Sequence, residues 1–203
     1  EIAWRAILRA EGAGRPEVRV RHHERAAAAY ALPPGPARDR AFGDLAIREV
    51  AELGLLDPLR AGVAERPALA ARVELVLLAR ALGPAEETVT CDPSRRRIGL
   101  RVRVDRFDDP ARLRTWARHA LGHAEDSLDP SFGFEPGWEQ RTDGPTAERL
   151  HVLWDASVDG RAARAGRPVF GTTRHDHADR LAALLPPGHG PVAAALVERC
   201  WTG

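Results

Sequence analysis

Three consecutive pieces of the chain decide its reading: Ile98-Gly99-Leu100-Arg101-Val102-Arg103-Val104, then Asp108-Asp109-Pro110, then Arg118-His119-Ala120-Leu121-Gly122-His123-Ala124-Glu125-Asp126. The first alternates apolar with polar in its latter half, as a half-buried strand does. In the second, Asp109 is placed to cap a helix and Pro110 to occupy its first turn, where a missing N–H costs nothing. The helix so opened runs through Leu113, Trp116 and Ala120 until Leu128-Asp129-Pro130 ends it. On it, His119 and His123 lie four apart, so their imidazoles share one face, one turn above the other. Two histidines so placed can offer nitrogens to a single tetrahedral metal ion.

Outward from this centre the pattern is mixed. Upstream, Val73 to Leu82 reads as a buried strand, and Thr88-Val89-Thr90 as another, joined to Ile98–Val104 by turn chemistry at Asp92-Pro93-Ser94. From Ala37 to Leu56, Phe42, Leu45, Ala46, Val50, Leu53 and Leu56 recur at helical spacing, and Asp57-Pro58 is read as the stop. In the first thirty residues, Val18-Arg19-Val20-Arg21 suggests a short strand before the Pro33-Pro34-Gly35-Pro36 break. Downstream, a loop from Ser131 to Pro145 leads to a helix over Thr146–Ala165. Another opens at Thr172-Thr173 and runs to Leu185, and a last one starts at Pro191. The expectation is α+β: one domain over 1–203, with an N-terminal segment (1–36), helices and a small sheet (37–109), and a metal-binding helical part (110–203).

Composition sets the outer limits. With 203 residues and 44% apolar content the chain can bury a core and is not disordered throughout. Thirty basic residues, all Arg, against 29 acidic ones leave a net charge of +1, which argues against nucleic acid or an anionic membrane as partner. No apolar run is long enough for a membrane span. Cys91 and Cys200 belong to no CxxC pair, so two reduced thiols and a cytoplasmic location are expected.

The segment His119-Ala120-Leu121-Gly122-His123 resembles the zincin metallopeptidases, whose helix carries HExxH. The resemblance covers this helix and the next long one, about a quarter of the chain. It implies a zincin-like fold, Zn²⁺ on His119 and His123, and a peptide or protein as substrate. It also marks Ala120 as the position where that family carries the glutamate that relays a proton from the metal-bound water. Alanine has no such chemistry. The chain is then either a natural pseudoenzyme that keeps the metal or a deliberate Glu→Ala replacement, and the intact remainder of the motif favours the second.

The third ligand is open among four residues. Asp129, six after His123, has the spacing of the metzincins, but that type wants Gly at the position of Asp126 and a Met beneath the metal, and this chain has no Met. Asp155, 32 residues after His123 on the following helix, is preferred. With Asp159 four residues later it is similar to the gluzincin arrangement, with Asp for Glu at the ligand as in the aspzincins, and Asp159 would orient His119. His151 and Asp126 remain behind these two. Arg161 is favoured over Tyr30, the only tyrosine, as the group that would stabilise an oxyanion. His175 and His177, two apart on a helix, are read as capping or solvent-exposed, as are His22 and His23. The aromatic run Phe132-Gly133-Phe134 with Trp138 either lines a cleft or covers the core. The rival class is a non-catalytic metal-binding or regulatory domain.

Overall fold

Asp109 does what its position suggests. In the computed structural model, which describes all 203 residues, its carboxylate accepts the Ala111 and Arg112 N–H groups at 2.9 and 3.1 Å and starts a helix over Pro110–Leu128. A cap of this kind contributes about 1 kcal/mol and sets which residues face inward. Counting in chain order, this is α6. It follows α1 (Ile2–Gly12), α2 (Pro16–Tyr30), α3 (Pro36–Glu52), α4 (Asp57–Ala64) and α5 (Pro67–Arg72), and then the strands β1 (Leu75–Ala81), β2 (Thr88–Asp92) and β3 (Arg97–Arg103). Short 3₁₀ turns occupy Pro84–Glu86, Pro93–Arg95 and Val104–Asp108. After α6 come α7 (Trp138–Arg141), α8 (Gly144–Arg164), α9 (Arg174–Ala183) and α10 (Gly190–Thr202).

The sheet has the order β1-β3-β2, with β1 parallel and β2 antiparallel to β3. The turn between β2 and β3 is closed by Asp92, whose side chain accepts the Arg95 N–H at 3.1 Å, and by Arg96 at φ 52°. Ile98, Leu100 and Val102 alternate on the inner face of β3 and meet Leu113, Trp116, Ala117, Ala120, Leu121 and Ala124 of α6. This is the main core, which Leu59 and Leu69 of α4 and α5 complete. A second core joins α8, α9 and α10 through Val152, Ala156, Leu181, Ala193 and Val197. The result is one α+β domain, and α6 belongs to both halves of it.

Three expectations of local structure fail. The strand within Val73–Leu82 forms as β1 but is not buried: it is an outer strand of a three-stranded sheet, and Leu75, Leu77 and Leu78 are exposed. Val18–Arg21 is not a strand but part of α2, and α1 before it is helical too. The apolar-polar alternation there fits a strand locally. Across the longer window, Val18, Ala26 and Ala29 are buried at helical spacing with His22 between them, and Pro16 sits in the first turn. Asp57-Pro58 does not stop α3, which ends at Glu52 before Gly54 at φ 62°; it opens α4. Aspartate and proline suit a helix start as well as a stop, so the dipeptide alone cannot fix which.

No helix is long and apolar enough to cross a membrane. Cys91 and Cys200 are free and half-buried, and burial pushes the Cys91 thiol up to about 11.

Candidate metal centre

The site forms where α8 crosses α6. The contacts run in opposite directions along the two helices: His119 meets Asp159, His123 meets Asp155, and Asp126 meets Trp154. Close approach requires a missing side chain. A Cβ on Gly122 would lie 2.6 Å from Val158 Cγ1, so α8 rests against bare backbone between the two histidines. Asp126 clamps the lower end, accepting the Trp154 indole N–H at 2.7 Å and the Arg161 guanidinium at 2.7 and 2.8 Å. Asp143 caps α8 through the Thr146 N–H at 2.9 Å and so sets the phase that turns Asp155 and Asp159 toward α6.

Three donor atoms converge. His119 Nε2 and His123 Nε2 are 3.2 Å apart, and Asp155 Oδ1 is 3.1 Å from the second and 3.5 Å from the first. A tetrahedral zinc ion with bonds of about 2.0–2.1 Å has ligand atoms roughly 3.3 Å from one another, so these edges fit without rearrangement. His119 Nδ1 lies 2.9 Å from Asp159 Oδ1, which leaves Nε2 of a neutral ring free to ligate. Asp159, 1% exposed, is itself held from the far side by His177, whose Nε2 is 3.1 Å from Oδ2.

The charged groups of the cluster compensate one another. Burial opposes protonation of His119, but hydrogen bonds and charge from Asp155 and Asp159 outweigh it and raise the imidazole to about 9. His123 moves the other way, lowered by burial and by the charge on His119 against the pull of Asp155. Burial would raise both aspartates. Asp155 is nevertheless held well below the carboxylate range by His119 and His123, and Asp159 is lowered by His119 and His177.

The cluster lies in the wall of an open cleft of about 660 Å³. β2 supplies one side through Thr88 to Cys91, the loop after α6 supplies Phe134, and α7 supplies Trp138. Trp154 packs edge-on against His123 at 4.5 Å, and Phe132 stacks on Trp154 at 5.7 Å. Of the two readings of the aromatic run, the cleft is the one the structure bears out: Phe134 and Trp138 line it, and Phe132, largely exposed, stacks on the cleft residue Trp154 and not on the core. Ala120 also lines the cleft.

The other residues singled out from sequence lie elsewhere. Asp129 binds the N–H and hydroxyl of Ser131 at 3.0 and 2.9 Å, beyond the end of α6. Asp126 is occupied by Trp154 and Arg161, and Arg161 is thereby committed to an ion pair and does not line the cleft. The cleft cation is instead Arg106, itself bidentate to Glu87 at 3.0 and 2.7 Å. His151 lines the cleft one turn before Asp155 but pairs with Glu139 at 3.0 Å. Tyr30 sits on α2 against Phe42. His175 is exposed, as expected, but His177 is fully buried and part of the site, so its reading as capping or exposed is corrected. The signal was available in the spacing: His177 and Leu181 are four apart, and both face the core. A smaller polar hollow lined by Arg21, Arg25, Glu49 and Glu52 on α2 and α3 holds none of these residues.

No protein-family model, no curated protein and no solved structure matches the chain.

Proposed function

We propose that the chain holds a zinc ion on His119, His123 and Asp155 and has the framework of a zinc-dependent metallopeptidase acting on peptide or protein substrates, in a form inactive at the general base. The observation that carries this reading is the triangle of donor atoms with edges of 3.1–3.5 Å beside an open cleft, one histidine being oriented by a buried carboxylate. Two imidazoles and a carboxylate suit zinc, and three protein ligands leave a position for water or substrate, the pattern of a catalytic centre. Bound zinc would supply Lewis-acid polarisation of a carbonyl and a water acidic near neutral pH.

The chain's own residues supply the rest. Asp159 fixes the ring of His119, and His177 fixes Asp159. Phe134, Trp154 and Phe170 present apolar surface to the cleft beside the donor atoms. At Ala120 no group accepts or returns a proton, which is equally what a metal-holding domain would show, the ion joining α6 to α8 without turnover.

Two measurements test the proposal. Elemental analysis of protein purified without added zinc should give one zinc per chain, and His119→Ala should lose it. Ala120→Glu should then gain chelator-sensitive peptide hydrolysis, since a positioned general base contributes about 10²–10⁴-fold. Absence of metal from the purified chain and no uptake on titration refutes the metal centre. Zinc without activity in Ala120→Glu refutes the peptidase and leaves the metal-holding domain.

A further inference from the structure

The free edge of the sheet lies away from the cleft. β1 is an outer strand: β3 pairs with one side only, and the backbone N–H and C=O groups along its other side have no strand partner. Its sequence is Leu75-Val76-Leu77-Leu78-Ala79-Arg80-Ala81, apolar on both faces for the first five residues. Strands buried on both faces read this way, whereas edge strands are normally guarded by charge, proline or a bulge. Here Leu75, Leu77 and Leu78 are 41%, 50% and 40% exposed. β2, at the opposite edge, presents Thr88 and Thr90 to solvent instead.

We propose that β1 is a homodimer interface, pairing antiparallel with β1 of a second copy about a two-fold axis at Leu77. Self-complementarity selects this register. With Leu77 opposite Leu77, Leu75 faces Ala79 and Val76 faces Leu78, so large residues meet small or branched ones without an apolar overhang. The same register sets Glu74 opposite Arg80 at both ends of the pairing. A shift of two residues one way sets Arg72 against Arg80, and a shift the other way sets Glu74 against Leu82 and Val76 against Arg80. Both charged residues are free to be shared. Glu74 is 62% exposed beside Arg96 at 2.6 Å, and Arg80 is 59% exposed beside Glu1 at 2.8 Å. In the dimer they form the alternating row Arg96–Glu74–Arg80–Glu1, which crosses between the copies. The sheet becomes six-stranded in the order β2-β3-β1-β1-β3-β2, and the two clefts, which β2 walls, stay open at its far ends.

Sedimentation or light scattering of the full chain should give twice the chain mass. Leu77→Arg, at a half-exposed position, should give a folded monomer that keeps its helical circular dichroism and whose melting temperature no longer rises with protein concentration. Glu74→Arg should weaken the dimer at least tenfold, because it opposes Arg80 of the other copy, and adding Arg80→Glu should recover it. Leu77→Cys should cross-link on mild oxidation, since directly opposed residues have Cα atoms about 4.5–5.5 Å apart. Ala79→Cys should not, because two such residues would be offset by four positions, about 13 Å. The unmodified chain, with its two native thiols, is the control. A chain that is monomeric at high micromolar concentration overturns the proposal. So does a dimer that survives Leu77→Arg, or one that cross-links through residue 79 but not 77.

Discussion

Adding one methyl group at Gly122 tests the proposed origin of the site most directly. In Gly122→Ala the new Cβ would stand 2.6 Å from Val158 Cγ1, whereas carbon atoms rest at about 3.5–4.0 Å. Something must yield by about 1 Å. Val158 is buried and β-branched, so it has little rotamer freedom to turn away. The guanidinium of Arg66, 3.4 Å from the same Cβ and bound to the Arg118 carbonyl and Glu125 at 2.7 Å each, closes the other direction. The strain therefore falls on the separation of α6 and α8. Overpacking of this kind costs about 1–3 kcal/mol, which lowers the melting temperature of a domain this size by roughly 2–12 °C. A parting of 1 Å also takes Asp155 and Asp159 away from the histidines, and a 3.1 Å edge near 4 Å no longer fits one zinc ion. Zinc affinity should fall at least tenfold, measured by competition with a chromophoric chelator. Gly122→Ala combined with Val158→Ala should recover much of that affinity, though not the stability lost with the valine methyls. Wild-type affinity and melting temperature in the single variant would refute the claim that this contact sets the distance between the two helices.

Other perturbations separate the residues of the site from their neighbours. Asp159→Ala frees the ring of His119 and strips His177 of its partner, so zinc affinity should drop by about 10–100-fold on the same titration. His151→Ala and Asp129→Ala should leave that affinity within a factor of two, because neither joins the triangle. Acid stability should report on Glu65, which hydrogen bonds from Arg118 and Arg114 hold down at about 2. A carboxyl with a depressed folded-state value stabilises the fold above its unfolded value near 4.5 and loses that contribution as pH falls toward 2. Urea midpoints should therefore decline across that window, and in Glu65→Gln they should start lower at neutral pH and decline less steeply.

Much of the layout was legible because it rests on local chemistry. Asp109 and Pro110 start α6 whatever surrounds them, and the alternation in Ile98–Val104 marks the strand that α6 covers. The spacing of His119 and His123, and of Asp155 and Asp159, puts each pair on one face of its helix by the helical repeat alone. Val18–Arg21 was misread because a short alternating run cannot distinguish two periods, and only the burial of Val18, Ala26 and Ala29 together decides between them. His177 differs: its spacing from Leu181 marks a core-facing position, but its partner Asp159 is 18 residues away on another helix, and no spacing rule along one element reaches that far.

The sequence by itself determined which side chains could serve a metal, on which helices they stand, and that the position between the histidines carries no proton acceptor. Tertiary structure alone decided that Asp155, and neither Asp129 nor Asp126, meets both imidazoles, and that Arg106, not Arg161, faces the cleft. The physical reason is that periodicity fixes directions within a helix, while distances between helices depend on what their surfaces allow. Here one bare backbone position, Gly122, lets Val158 through and brings the two faces within coordinating range.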